Sequence, residues 1–376
     1  MDIVLRKLEQ KEHKRTRGLW EKVFAEDTKA FLDYYYFIKA RENEIYVIEE
    51  KEYIRSMIHL NPYTVQVEDR EFLCHYIVAV STEKAYRGKG YMRKLLYRTM
   101  EDMYRRKEPF TFLMPAAEAI YTPYDFRFIY KQNIGETNGT EGNLQAEVTE
   151  ASIADAEDMA AFFAAYFKAE HQVCAVRDAA YYQTMILEQQ SENGGVCLMK
   201  DAGRICGMFA YAREEKLEIR EPLYLPGWEM EFLKAAAQLR KDGEPKAVLY
   251  ACAETLAVRQ KPVIMARILH LESLLGVLKV KKNERVSCSF AVIDPILVKN
   301  SRVWKIHSRE GEDMLTVTET EDSEGVLPIA SLTSFLFGYR TLEEIKQEEG
   351  VILSAHLEEE LGKLCILRRI YLNEIV

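Results

Sequence analysis

The chain has 376 residues, 48% of them apolar and 30% charged, with a formal net charge of −9. That length exceeds one ordinary core and predicts two or three domains. The balance is that of a soluble globular protein, with no stretch near the roughly eighteen uninterrupted apolar residues of a membrane span. The negative charge disfavours nucleic acid and anionic membrane as partners and suits a cationic substrate. The start, Met1-Asp-Ile-Val-Leu-Arg, lacks the basic and then apolar pattern of a signal peptide. Cysteines at 74, 174, 197, 206, 252, 288 and 365 stand singly, which predicts reduced thiols in a cytoplasm and neither a zinc site nor a disulfide framework.

Residues 3–8 read as a first strand, and Glu9 to about Glu26 as an amphipathic helix with Leu19, Trp20, Val23 and Phe24 on one face. A second helix follows over Asp27–Lys39. Its Phe31, Tyr34, Tyr35, Tyr36 and Phe37 cannot share one core stripe. They predict a helix wedged between two surfaces or, alternatively, an aromatic wall of an acceptor pocket formed by Phe31 and Tyr35, with Asp27 or Asp33 supplying negative charge. Glu44–Glu50, Tyr53–Leu60, Tyr63–Glu68 and Phe72–Ser81 then alternate as strands of a meander, with turn residues at Glu50-Lys51-Glu52 and Asn61-Pro62.

The meander ends in a stretch that carries chemistry. Ile77 to Val80 form a short apolar run, Arg87-Gly88-Lys89-Gly90-Tyr91 a basic turn, and Leu95, Leu96, Met100 and Met103 recur at helical spacing. Gly88 and Gly90 let the backbone approach a ligand and leave N–H groups at a helix N-terminus, which favours phosphate. A P-loop needs Gly, four residues, then Gly-Lys-Ser/Thr, and no such run follows this strand. The dinucleotide fingerprint needs a third glycine where Arg93 stands. What remains, Arg87-Gly88-Lys89-Gly90-Tyr91 after Val-Ala-Val-Ser-Thr, resembles the acetyl-coenzyme A signature of the GNAT acetyltransferases, with Met92 where that family usually has Gly or Ala.

Pro109–Met114 reads as another strand. Ile120-Tyr121 followed by Tyr124-Asp125-Phe126-Arg127-Phe128 resembles one GNAT branch, the enhanced intracellular survival family, with Tyr124 in place of its usual Phe. Residues 135–145 are polar and glycine-rich, a linker by composition. The pattern then restarts: a helix over Ser152–Phe167, a hairpin of Val196–Lys200 and Gly207–Arg213, a central strand Lys216–Leu225, a helix Glu229–Arg240 and a strand Ala247–Ala253. This repeats the order of the first part, but Leu225-Pro226-Gly227 offers too few free N–H groups for a pyrophosphate cradle. From about Val258 the character changes. Ile264–Leu278 is predicted as one amphipathic helix, followed by strands at 284–294, 301–308 and 314–319 and by helices at 329–337, ending at Gly338, and 342–348. Leu332-Thr-Ser-Phe-Leu-Phe-Gly-Tyr339 resembles a segment of the sterol-carrier-like C-terminal domain of the same family, with Phe335 for its second Leu.

The resemblance therefore spans the chain and implies an α/β (α+β) fold: a catalytic GNAT domain over 1–140, a degenerate GNAT-like domain over 141–257, and a sterol-carrier-like domain over 258–376. It implies acetyl-CoA as co-substrate, no metal, and acetyl transfer to a primary amine of an aminoglycoside, polyamine-like or basic-peptide acceptor. Val78, Ala79 and Val80 would pair with the pantetheine arm, and Arg87, Gly88, Lys89, Gly90 and Tyr91 would hold the pyrophosphate. Tyr121 would protonate the departing thiolate, and the terminal carboxylate of Val376 would enter the first domain's site as base. Glu374, His75 and His59 are side-chain alternatives for the base, and a water relay is a further one. Glu374 joins Asp27, Phe31 and Tyr35 as a candidate acceptor-site residue, and Cys74 reads as packing. The family tends to form homohexamers. The rival readings are a ligand-binding or regulatory protein that uses the sterol-carrier-like domain, and an acetyltransferase acting on protein lysines or N-termini.

Overall fold

The computed structural model describes residues 3–213, 216–241, 243–309 and 314–374. Strand β1 (Ile3–Lys7) leads through a 3-10 turn to helices α1 (Arg17–Val23) and α2 (Lys29–Phe37). Strands β2 (Glu44–Glu50), β3 (Tyr53–Val67) and β4 (Arg70–Thr82) form an antiparallel meander, and α3 (Tyr91–Arg105), β5 (Phe110–Leu113), α4 (Glu118–Tyr121) and β6 (Arg127–Thr137) follow. A second series runs β7 (Glu147–Glu150), α5 (Ala156–Tyr166), β8 (Val173–Ala175), α6 (Ala179–Ser191), β9 (Gly195–Asp201), β10 (Arg204–Arg213), β11 (Leu217–Tyr224), α7 (Glu229–Leu239) and β12 (Ala247–Tyr250). The remainder comprises β13 (Ala257–Ile268), α8 (Leu271–Leu275), β14 (Lys279–Val280), β15 (Ser287–Ile293), β16 (Val303–Ser308), β17 (Leu315–Thr320), β18 (Gly325–Pro328), α9 (Ile329–Leu336), α10 (Leu342–Ile345), β19 (Ile352–Leu353), α11 (Ala355–Gly362), β20 (Leu364–Cys365) and β21 (Ile370–Tyr371). No helix among the described residues is long and apolar enough to cross a membrane.

One sheet runs through both halves in the order β1-β2-β3-β4-β5-β13-β6-β12-β11-β10-β9-β7, and β8 pairs with the far end of β3 and with β21. A separate sheet, β17-β16-β15-β18-β19, packs Phe290, Trp304 and Ile306 against Leu332, Leu336, Leu357 and Leu361 of α9 and α11.

Three expectations change. The helix predicted over Ile264–Leu278 is strand β13 followed by the short α8. Ile264, Met265, Ala266 and Ile268 are all buried between β5 and β6, because a strand covered on both faces shows a continuous apolar run that periodicity cannot tell from a buried helix. The linker expected from Gly135 begins only after β6. Gly135 pairs with Leu249 on one side and Ala257 on the other, and a Cβ there would lie 2.5 Å from the Leu256 carbonyl oxygen. Asn61-Pro62 is not a turn but the interior of β3. Pro62 pairs with His75 on the β4 side, while β2 ends opposite Leu60 and β8 starts opposite Val65, so the missing N–H faces a gap in the sheet.

The last sheet is tied to the first by a buried ion pair. The Arg267 guanidinium is wholly enclosed and donates to Asp294 Oδ1 (2.5 Å), the Ile268 carbonyl (2.8 Å) and the Tyr124 carbonyl (3.0 Å). Asp294 also accepts from the Leu297 amide and Asn300 Nδ2. Arg267→Met leaves that carboxylate buried without its cation and is predicted to cost about 3–5 kcal/mol in urea unfolding. A loss under about 1 kcal/mol would contradict this account of the junction.

Candidate active site

The site is built where β4 is forced out of register. Met57 pairs with Ser81 but His59 with Val78, so Ala79 and Val80 together oppose Ile58 alone, and Ala79 takes φ +51°. A bulge of this kind turns a backbone N–H away from the ladder. On its other side β4 pairs with β5 only at Tyr76–Phe112, which leaves Val78 to Thr82 without a partner strand there among the described residues. The result is a slot with backbone donors and acceptors on one wall. Such a wall offers backbone pairing to an extended amide chain.

The slot leads to the glycine turn. Gly88 and Gly90 have φ +78° and +74°, and Gly90 is the N-cap of α3. A Cβ on Gly88 would meet nothing within 4 Å, so the left-handed backbone, not crowding, calls for glycine there. Arg87 is exposed and folds its Nε back to the Thr82 carbonyl (3.2 Å), while exposed Lys89 lies over the Tyr86 ring (4.3 Å). Tyr91 and Met92 turn their side chains into the core under α3, so the larger Met92 does not obstruct the turn. The α3 N-terminus and two nearby cations together favour an anion at this turn.

Tyr121 ends α4, buried against Phe126 at 5.8 Å, and burial pushes its hydroxyl up to about 12, which keeps the phenol protonated at neutral pH. Beside it stands Tyr76, whose hydroxyl is held by a backbone hydrogen bond at Met114 and feels Tyr121, Glu374 and Glu188 together.

A cavity of about 820 Å³ opens at the gap in β3, walled by Pro62, Tyr63 and Thr64, by Lys39 after α2, by Glu188 of α6 and by Asn373 and Glu374 of the tail. Seven carboxylates against four cationic side chains line it, which favours a cationic occupant. Glu374 is buried, and desolvation raises its pKa despite Arg177. Its Oε1 takes hydrogen bonds from Tyr181 (3.2 Å) and Arg177 (3.4 Å), and its Oε2 has no partner among the described residues.

Of the other expected acceptor residues, Phe31 and Tyr35 pack into an aromatic cluster with Trp20, and Asp27 accepts from Trp20 Nε1 at 2.6 Å; none of the three lines the cavity. Tyr35 reaches His59 instead, and burial drives that imidazole down to about 3. His75 is paired with Glu108 in the interior, and Cys74 is a buried thiol raised by desolvation. Val376 lies outside the described residues; the chain two residues before it is at the cavity wall. Lys39, Tyr63, Glu188 and Arg177 gave no signal in the sequence, because only the tertiary meeting of α2, α6 and the tail brings them together.

The second half carries a matching bulge: Met208 pairs with Leu223 but Ala210 with Arg220, and Glu221 takes φ +50°. It is occupied from within. Glu221 forms a two-pronged ion pair with buried Arg177 (2.5 and 3.0 Å), and only residues 225–228 link β11 to α7, where residues 83–90 link β4 to α3.

Residues 4–129 match the family model of the acetyltransferase (GNAT) domain, and residues 271–367 that of the sterol carrier protein domain. The chain is thus an acyltransferase with a sterol-carrier-type C-terminal part. No curated protein sequence matches it. Among solved structures it resembles a conserved protein of unknown function from Enterococcus faecalis V583, described as a probable N-acyltransferase (TM-score 0.85, 17% identity, 100% of both chains). It also resembles a GCN5-related N-acetyltransferase from Anabaena variabilis (0.81, 14%, 99% of both) and Eis1 from Mycobacterium abscessus (0.71, 12%, 100% of both), likenesses that extend the shared fold over the whole chain.

Gly88→Ala and Gly90→Ala each force a side chain into the left-handed region at a cost of about 1–2 kcal/mol. Each is predicted to weaken acetyl-CoA binding in calorimetry about tenfold. Unchanged affinity in both would remove the turn from the site.

Proposed function

We propose that the chain transfers an acetyl group from acetyl-CoA directly to a primary amine of a cationic acceptor of the aminoglycoside, polyamine or basic-peptide kind. The bulge at Ala79, opening onto an unpaired strand edge and ending at the Gly88–Gly90 turn, carries this reading. Val78 to Val80 pair with the pantetheine arm through their backbone, and the amide near Val80 polarises the thioester carbonyl where negative charge develops. Arg87 to Tyr91 hold the pyrophosphate through first-turn amides and two cations.

The acidic cavity supplies the acceptor side, with Glu374 holding an ammonium at its unpartnered oxygen. Tyr121 gives its proton to the departing thiolate; a buried phenol held neutral is available for that step at physiological pH. The terminal carboxylate of Val376 is read as the base that meets the amine, supported by the course of Asn373 and Glu374 along the wall. The three-part division at 140 and 257 belongs to the same proposal, as does a homohexameric assembly.

Tyr121→Phe is predicted to lower thiol release in the presence of an amine by about 10²–10⁴-fold with acetyl-CoA affinity unchanged. Residues appended after Val376 are predicted to lower turnover similarly. A phenylalanine variant with the native rate would exclude Tyr121 as the acid, and an extended chain with the native rate would exclude the terminal base.

A further inference from the structure

A carboxylate that the scheme above does not use stands in the cavity wall. Glu188 comes from α6, in the half of the chain that holds no pyrophosphate turn. Glu188 lines the cavity with Glu374, and the Tyr76 hydroxyl feels both of them together with Tyr121. The Tyr34 hydroxyl donates to its Oε2 at 3.0 Å. Facing it are Lys39 after α2, Arg220 of β11 and Glu192 just past the end of α6, while the Tyr63 hydroxyl, also in the cavity wall, feels both Glu188 and Glu374. Lys39 donates to Tyr63 (2.8 Å), and desolvation lowers its own pKa.

We propose that Glu188 is the group that takes up the proton released by the acceptor's ammonium. The inference rests on the acetyl-transfer reading. An alkylammonium gives up two protons on becoming an amide. One travels to sulfur by way of Tyr121 as the C–N bond forms and the C–S bond breaks, and the other must be released. A terminal α-carboxylate, ordinarily near pKa 3.5, meets that proton but does not retain it at neutral pH. Glu188 does retain it: burial raises its carboxyl to about 7, against the opposing pull of Lys39. Ionised, it accepts the proton; protonated, it blocks the next release until water removes it. The second half of the chain thereby contributes to the chemistry of the first.

The test is the pH dependence of kcat for acetyl transfer to a polyamine, between pH 5.5 and 9. The native protein is expected to gain activity through a limb centred near pH 7. In Glu188→Gln, which keeps an acceptor for Tyr34, kcat at pH 7 falls on the order of a hundredfold and that limb is lost, with acetyl-CoA affinity unchanged. Lys39→Met removes the cation that favours the ionised form, so the limb moves to higher pH. A Glu188→Gln protein with native rate and limb overturns the proposal. So does a Lys39→Met limb that stays in place or moves down, because a merely structural Glu188 would leave the limb where it is. A native protein that turns over no amine overturns the acetyl-transfer reading, and this inference with it.

Discussion

Arg177 is withdrawn from water between two carboxylates and three aromatic rings, and the geometry of the acceptor side follows from what that isolated charge requires. A buried cation costs several kcal/mol unless it is paired and its donors are used. Here Glu221 takes two of them and Glu374 a third, while Phe163, Tyr181 and Tyr371 lie 4.8–4.9 Å from the guanidinium carbon. These partners come from α5, α6, β11 and the C-terminal tail. Pairing this one cation, whose Nε has no partner among the described residues, therefore draws four pieces of chain together around the cavity. The tail is held further back as well, where Gln172 and Val173 donate to the Arg369 carbonyl and β21 pairs with β8.

The two bulges make the same backbone do different work. At Ala79 a small side chain in a left-handed conformation leaves the strand edge open, and the following turn leads into the N-terminus of α3. At Glu221 the same distortion carries a carboxylate whose partner fills the space from inside the protein. One bulge is thus free for a ligand while the other has become a structural joint that anchors the tail. The continuity of the sheet through β13 and β6 holds the two in fixed relation, because β6 pairs with both β13 and β12.

How much of this the sequence disclosed depended on the range of the signal. The turn from Arg87 to Tyr91 and its helix were legible, since glycine placement and helical periodicity are local. So was the aromatic motif around Tyr121. The bulge was not, because Ala79 carries no mark of a positive φ and only the register against Ile58 creates it. The strand β13 read as a helix for a reason of the same kind: burial on both faces erases the two-residue alternation. The density of aromatics in α2 suggested a pocket wall, yet Phe31 and Tyr35 are used to pack Trp20, and the charged wall came from residues such as Glu188, whose helix lies between two halves and shows no one-sided apolar face.

The stoichiometry of acetyl-CoA binding tests most directly whether the Ala79 bulge alone takes the thioester. Isothermal titration of the full chain is predicted to give one molecule per chain. Two molecules per chain would show that the Glu221 bulge is still a ligand site, and none would show that the Ala79 slot is not one.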